Sequence, residues 1–165
     1  MQLAHTHHQP ATHNKKIILI CEHITSPANA GSIFRLADAF GIQEIIFCGN
    51  QPEIKSSRLR KTARNTEKTV PFRASESIKN TLRELHNLSF TSIALEITSD
   101  SVALSNIDFT AIHKVALVIG AERLGVTQQT LEQCHKIAHI NMYGKNSSMN
   151  VAQATGIAFY ELTRS

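Results

Sequence analysis

Short apolar runs alternate with amphipathic stretches along most of the chain, and this alternation constrains the fold more than any other feature. The runs are continuous and rich in β-branched residues, a pattern typical of strands that are buried on both faces. They cover residues 15–21, 44–48, 69–72, 92–95, 115–119 and 137–140. Strands of this kind predict a sheet in the middle of the molecule.

The stretches between the runs predict helices. Apolar residues recur at helical spacing before a stop at Gly41, in a helix opened by Ser75, in a short helix capped by Thr127 and in a closing helix over 151–162. Strands that alternate with helices favour a mainly parallel sheet covered on both faces. We therefore expect a single-domain α/β fold over residues 15–165, preceded by a disordered tail over residues 1–14.

Cysteine usage and the lack of long apolar runs favour a cytoplasmic protein. Cys21, Cys48 and Cys134 are an odd number, have no C-x-x-C spacing and lie in or beside apolar runs, so we expect buried free thiols. The first residues lack the apolar core of a signal peptide, and no run could span a bilayer. The histidines of the tail have no metal-ligand spacing, which disfavours a metal site.

Positive charge is concentrated in one segment, residues 55–73, which contains a single acid, Glu67. The chain as a whole carries a formal charge of +4 and has a pI near 9.1. A solubilising helix face normally mixes both signs, whereas bases of one sign among Ser, Thr and Asn suit phosphate contacts. Nucleic acid is the favoured partner, and a solvated helical face is the alternative. The segment's bases are Lys55, Arg58, Arg60, Lys61, Arg64, Lys68 and Arg73.

Polar side chains follow predicted strands in three places: residues 29–35 (NAGSIFR), 120–125 (GAERLG) and 148–151 (SMNV). In a parallel sheet these places lie at one edge, where α/β folds bind ligands. Each segment also has a purely structural interpretation. Asn29 could be only a helix cap, and Arg35 could extend to solvent or pair with a phosphate or with Glu122.

The second and third segments also have structural and functional interpretations. Gly120 would let a ligand approach the main chain, although no G-x-G-x-x-G fingerprint supports dinucleotide binding. Ser147 and Ser148 are reasonable caps of the closing helix. Asn150 has a low preference for the first turn of that helix, where exposed N–H groups could hold a polar ligand group.

The three segments together resemble the three motifs of the SpoU (TrmH-like) class of the SPOUT superfamily, which are RNA ribose 2′-O-methyltransferases. The first motif is matched by Asn29, Gly31, Arg35 and Gly41. The second is matched by Gly120, Glu122 and Gly125, and the third by Ser148 and Asn150. The likeness spans residues 16–163. Met149 replaces a frequent Leu, and Asn141 replaces a frequent Pro.

The resemblance implies a C-terminal trefoil knot over about residues 115–163, S-adenosylmethionine as cofactor and a homodimer with a composite active site. The implied cofactor residues are Leu95, Gly120, Ile140, Met149 and Asn150. The implied catalytic residues are Arg35, Asn29, Glu122, Ser148 and Asn150. The RNA-binding residues expected from the basic segment are Arg58, Arg60, Lys61 and Arg64. Glu122 and Asn29 are expected to position Arg35, with Ser148 and Asn150 ordering the site.

The chemistry limits what Arg35 can do. A ribose hydroxyl is a poor nucleophile, yet no histidine lies in the motifs; His23 and His113 are just outside them. A guanidinium has a pKa above about 12, so Arg35 is interpreted first as a phosphate clamp that stabilises a developing alkoxide, and second as a base. We expect transfer RNA as substrate ahead of ribosomal RNA. The alternative functions are a noncatalytic RNA-binding module and, more distantly, an oxidoreductase.

Overall fold

A computed structural model describes residues 10–164 of the protein. Within these residues there are seven strands and five α-helices. The strands are β1 (Lys16–Glu22), β2 (Glu44–Cys48), β3 (Phe72–Ser75), β4 (Thr91–Leu95), β5 (Val102–Ala103), β6 (Lys114–Ile119) and β7 (Lys136–His139). The helices are α1 (Pro27–Ala39), α2 (Ser57–Ala63), α3 (Ile78–Asn87), α4 (Gln128–Leu131) and α5 (Val151–Thr163).

The seven strands form one parallel sheet in the order β3-β2-β1-β6-β4-β7-β5. Interior strand β1 pairs on both sides, so that Ile20 lies opposite Ile46 on one neighbour and Val118 on the other. Because every strand runs the same way, all the carboxyl ends lie at one edge. The predicted α/β class with a mainly parallel sheet is confirmed.

The core lies on both faces of the sheet because side chains alternate along each strand. On one face Ile17 and Leu19 pack in a cluster with Phe34 of α1 and Phe159 of α5. On the other face Ile18, Ile20 and Ile46 pack in a cluster with Leu82 and Leu85 of α3. All of these side chains are buried, as the sequence pattern predicted.

Two predicted boundaries in the middle of the chain are wrong. The third strand was expected over 69–72 but covers Phe72–Ser75, because a 3-10 helix over Thr66–Lys68 continues into a turn closed by the Val70 N to Thr66 O hydrogen bond. Ser77, not Ser75, caps α3 by accepting from Asn80 N at 3.2 Å. Ser75 belongs to the strand instead.

The chain's three thiols are free, but they are not equally buried. Cys21 and Cys48 are buried as predicted, whereas Cys134 is only partly buried because it lies in the turn after α4. Burial raises the pKa of all three thiols, that of Cys134 to about 11. These thiols are therefore weak nucleophiles at neutral pH.

The predicted disorder of the first nine residues lies outside the described part of the chain. Residues 10–14 have no regular structure, yet the Nε2 atom of His13 lies 2.8 Å from the Phe40 carbonyl oxygen, so this part of the tail contacts the end of α1. Among residues 10–164, no helix is long and apolar enough to cross a membrane.

Candidate functional site

A cavity of about 510 Å³ lies beyond the carboxyl ends of the adjacent strands β6, β4 and β7. We call it the strand-end cavity. Its walls come from the segments that follow these strands and from residues 147–149 before α5. Four predicted cofactor residues line it, namely Leu95, Gly120, Ile140 and Met149. Predicted catalytic residues Glu122 and Ser148 line it as well.

The loop after β6 folds back on Gly120. Gly125 N donates to Ala121 O at 2.7 Å, and Gly125 has a φ of +65°. A Cβ atom on Gly120 would lie 2.0 Å from the Gly125 carbonyl carbon and 2.2 Å from Val126 N. We expected a glycine at position 120 because a ligand would approach it closely. The structure shows instead that the chain's own loop approaches it, and this loop shapes the cavity.

Glu96, which sequence reasoning missed, holds that loop in place. Its carboxylate accepts from Val126 N at 2.9 Å and from Ile97 N at 3.0 Å, and it lies where a Gly125 side chain would have to be. Glu96 lines the strand-end cavity. An acid directly after the apolar run 92–95 was the available signal, since carboxylates at strand ends commonly accept backbone N–H groups.

A second carboxylate, which is buried, fixes the segment that follows the loop. Glu22, 3% exposed at the end of β1, accepts from Thr127 N at 2.8 Å and from the Thr127 and Thr130 hydroxyls at 2.7 Å each. Thr127 occupies the N-cap position of α4 as predicted, but its hydroxyl makes no capping bond. The Glu22 carboxylate satisfies the start of α4 instead.

A broader cavity of about 1090 Å³ adjoins the first one between α1 and α5, and we call it the helix-face cavity. Arg35, Asn29 and Asn150 line it, and Met149 lines both cavities. Arg35 is exposed and forms no ion pair or hydrogen bond with any residue in 10–164. Glu122, one of the partners considered for Arg35, is therefore not its partner.

Side chains from all three motifs meet in one hydrogen-bonded chain. The Asn29 amide donates to Glu122 Oε1, and the Asn150 amide donates to Asn29 Oδ1 at 3.0 Å. Asn150 Oδ1 accepts from Ala152 N at 2.9 Å and Gln153 N at 3.3 Å. We call Glu122, Asn29 and Asn150 the amide chain. It links the rims of the two cavities.

The amide chain corrects three expectations. Asn29 is not the cap of α1, because Ser26 holds that position and accepts from Asn29 N at 3.4 Å. Asn150 is itself the N-cap of α5 rather than a first-turn residue, so neither Ser147 nor Ser148 caps the helix. Glu122 and Asn29 bond each other instead of positioning Arg35. Ser148 lines the strand-end cavity but makes no hydrogen bond with a described residue.

Gly31 shows which backbone approaches α1. A Cβ atom there would lie 2.6 Å from Leu59 O and 2.7 Å from Thr62 Cβ, both in α2. We expected another group to approach the backbone closely at Gly31, and the group that does so is helix α2. Thr62 also lines the helix-face cavity, so α2 lies beside Arg35.

The basic segment is a short helix on the surface. Its predicted RNA-binding residues Arg58, Arg60 and Lys61 lie on α2, Arg64 ends that helix, and all four are exposed without an ion pair to residues 10–164. The segment's only acid, Glu67, is 8% exposed, so its surface carries bases alone. Arg73 is not a free base, because it pairs with Glu44 at 3.2 Å and with Glu84 at 2.9 Å.

Other predicted participants lie elsewhere. His113 immediately precedes β6, at the opposite edge of the sheet, and His23 follows β1; neither lines the two cavities. Within the part of the chain that the structure describes, no three His, Cys, Asp or Glu side chains cluster closely enough to hold a metal ion.

Solved structures with this architecture include two SpoU proteins. A TrmH/SpoU tRNA modifying enzyme of A. aeolicus superimposes with a TM-score of 0.80 at 27% identity, over 92% of this chain and 77% of that one. The SpoU methyltransferase AviRb of Streptomyces viridochromogenes, solved in complex with the cofactor AdoMet, gives 0.78 at 25% identity, over 94% of this chain and 62% of that one.

Sequence comparison gives the same family. The 23S rRNA (guanosine-2'-O-)-methyltransferase RlmB of Haemophilus influenzae is 32% identical over 157 residues, which are 93% of this chain and 62% of that protein. The chain thus spans about three fifths of the length of this curated relative. The family model described as SpoU rRNA Methylase matches residues 16–160, which include all three motifs. The chain belongs to the SpoU rRNA Methylase family.

Proposed function

We propose that this protein transfers a methyl group from S-adenosylmethionine to a ribose 2′-oxygen of RNA. The observation that carries the proposal is the amide chain, because it joins a ligand-sized cavity to the face of α1 and α5, on which the unpaired Arg35 lies and where a second subunit would bring its own Arg35. A noncatalytic RNA-binding module would need the basic surface but not this connection.

The strand-end cavity suits S-adenosylmethionine by volume and by chemistry. Its volume of about 510 Å³ falls in the usual range for small-molecule sites, about 300–1,000 Å³. Leu95, Ile140 and Met149 offer apolar surface for an adenine ring, and the carboxylates of Glu96 and Glu122 suit a cationic ligand. When bound, the cofactor supplies an electrophilic methyl group. AviRb, 25% identical, is a relative solved with it.

Arg35 is proposed to act on the RNA. A guanidinium is a planar cation with five N–H donors and no acceptor, so Arg35 binds an adjacent phosphate and stabilises negative charge that develops on the 2′-oxygen. No histidine among the described residues lines the helix-face cavity. Glu122, Asn29 and Asn150 hold the start of α1 and of α5 in register around that position.

Replacing Arg35 tests this role. We expect Arg35→Ala to lose most methyl transfer and to keep its affinity for S-adenosylhomocysteine in calorimetry. Arg35→Lys rescues little if planar two-point phosphate binding dominates. Arg83→Ala, which removes an exposed arginine from α3, is the matched control. Near-normal transfer by Arg35→Ala would overturn the role of Arg35.

The face formed by α1 and α5 supports a homodimer with composite sites. Around the helix-face cavity it exposes apolar side chains, with Ile157 41% and Tyr160 59% exposed. Arg35 lies on this face, so a second copy packed here would place its own cofactor near Arg35. In that arrangement, mixing Arg35→Ala with Asn150→Ala subunits restores one intact site per mixed dimer. No restoration after verified subunit exchange would contradict the composite site.

We also propose that residues 115–163 form the trefoil knot of the family. Two observations support it. Strand β7 lies between β4 and β5 in the sheet although it follows both in sequence, and α5 then packs back against α1.

Ribosomal RNA is the proposed substrate because the sequence relatives are named for 23S rRNA, and transfer RNA is the second candidate. The curated relative from Haemophilus influenzae is named for 23S rRNA, whereas the A. aeolicus structure is named for tRNA modification. The expectation of tRNA from sequence alone therefore becomes the alternative. Parallel assays with unmodified RNA of each class decide between them.

The basic surface of α2 is proposed to bind the phosphate backbone. Replacing Arg60 and Lys61 with Ala should lower the slope of log affinity against log salt by about 0.7–0.9 for each phosphate that the variant no longer binds. The control removes the same number of charges from α3, through Lys79→Ala and Arg83→Ala. Equal slopes for the two double variants would mean that α2 is only a solvated face.

A further inference from the structure

His139, the last residue of β7, lines the strand-end cavity and belongs to none of the three motifs. Its side chain is partly buried, and its Nδ1 atom lies 2.9 Å from Ser101 Oγ in the turn before β5. One ring nitrogen is therefore held by the protein. Whether the other ring nitrogen, Nε2, is a donor or an acceptor depends on whether His139 Nδ1 or Ser101 Oγ donates in this bond.

The turn around Ser101 favours one direction for this hydrogen bond. Ser101 Oγ lies 2.8 Å from Thr98 O, to which it donates, and accepts from Thr98 N at 3.0 Å. A hydroxyl has a single proton, so with that proton directed to Thr98 O, Ser101 Oγ accepts from His139 Nδ1. In this tautomer Nε2 is left as an acceptor, and it has no hydrogen-bond partner among residues 10–164.

We propose that His139 recognises the cofactor by accepting a hydrogen bond through Nε2. This inference rests on the proposed function, since it assigns a residue to the same ligand. The cavity's carboxylates also accept hydrogen bonds from the protein, Glu96 from two backbone N–H groups and Glu122 from Asn29. In the tautomer described above, Nε2 offers a further acceptor, and the bond between Nδ1 and Ser101 fixes the direction in which it points. S-adenosylmethionine carries N–H or O–H donors on its adenine, its ribose and its amino acid end.

Calorimetry with S-adenosylhomocysteine tests the proposal without relying on turnover. His139→Phe keeps a flat ring but removes the acceptor, and we expect about tenfold weaker binding, equivalent to about 1.4 kcal/mol. His139→Gln can place a carbonyl oxygen near the Nε2 position, and we expect it to bind within about threefold of the natural protein. His113→Gln, at the opposite edge of the sheet, is the matched control and should bind as the natural protein does.

Ser101→Ala tests the tautomer separately. Without its acceptor, the Nδ1 proton is no longer held, so we expect several-fold weaker binding although the ring remains. Repeating the titrations with 5′-methylthioadenosine, which lacks the amino acid end, locates the donor. If the loss in His139→Phe persists, the donor is on the nucleoside; if it disappears, the donor is on the amino acid.

The outcomes separate this proposal from the one on which it rests. If the natural protein binds and a folded His139→Phe variant, with an unchanged melting temperature, binds within twofold of it, the role of His139 is overturned and the proposed function stands. The same follows if His139→Gln loses as much affinity as His139→Phe. If the natural protein does not bind the cofactor or its product, the proposed function fails and this inference fails with it.

Discussion

Gly120 lies against the backbone of the loop that walls the strand-end cavity, and replacing it with alanine tests how that loop is held. The added Cβ atom would lie 2.0–2.2 Å from three backbone atoms of Gly125 and Val126. Real Cβ atoms do not approach so closely, and a backbone cannot rotate away as a side chain can. The loop must therefore move, although Glu96 anchors its far end through Val126 N.

The magnitude follows from the cost of overpacking, about 1–3 kcal/mol. For a chain of this size each kcal/mol lowers the melting temperature by about 2–4 °C, so we expect Gly120→Ala to melt about 2–12 °C lower, as followed by circular dichroism. Affinity for S-adenosylhomocysteine should fall as well, because the displaced loop contains Glu122.

Gly144→Ala is the matched control, since a Cβ atom there meets nothing within 4 Å. This exposed change should shift stability by no more than about 0.5 kcal/mol. If Gly120→Ala melts and binds like Gly144→Ala, the loop is not packed on Gly120 as described, and the reasoning about the cavity wall is refuted.

Three further predictions concern groups outside the two cavities. Glu22→Gln weakens three hydrogen bonds to a buried carboxylate and should lower the free energy of unfolding by about 1.5–3 kcal/mol in urea titrations; an unchanged midpoint would refute the anchoring of α4. Burial, and secondarily His135, lowers the pKa of His86, so the folded protein binds fewer protons and stability should fall as the pH drops below about 6.5. In His86→Gln the free energy of unfolding should fall less as the pH drops below about 6.5. An equal fall in both proteins would contradict this role of His86. Cys134, with a pKa of about 11, should react with iodoacetamide at pH 8 far more slowly than glutathione does; comparable rates would contradict its burial.

Local pattern was enough to predict most of the sheet. Uninterrupted β-branched runs marked β1, β2, β4, β6 and β7 to within about a residue or two, because buried parallel strands need no polar alternation. Helix α2 was not predicted, since its buried side is only Leu59 and Ala63 and its bases obscure the periodicity. Strand β5 is two residues long, too short for any pattern to mark.

The residues of the site were predicted better than their contacts. The motifs gave Asn29, Glu122 and Asn150 as site residues, but the amide chain joins residues 93 and 121 positions apart, and no local rule specifies such pairs. Two polar residues of the strand-end cavity were missed because their role depends on their position in the fold. Glu96 and His139 are ordinary residues at strand ends, and only the sheet order brings them to one cavity.

The central claim is that the two linked cavities transfer a methyl group to RNA ribose. The most direct measurement incubates the purified protein with S-adenosylmethionine labelled in its methyl group and with unmodified rRNA or tRNA, then maps the labelled nucleotide. The account predicts label on a ribose 2′-oxygen at a defined site, in one RNA class, with Arg35→Ala as the inactive control. RNA binding without any labelled ribose, in the presence of bound cofactor, would contradict it and favour a noncatalytic RNA-binding module.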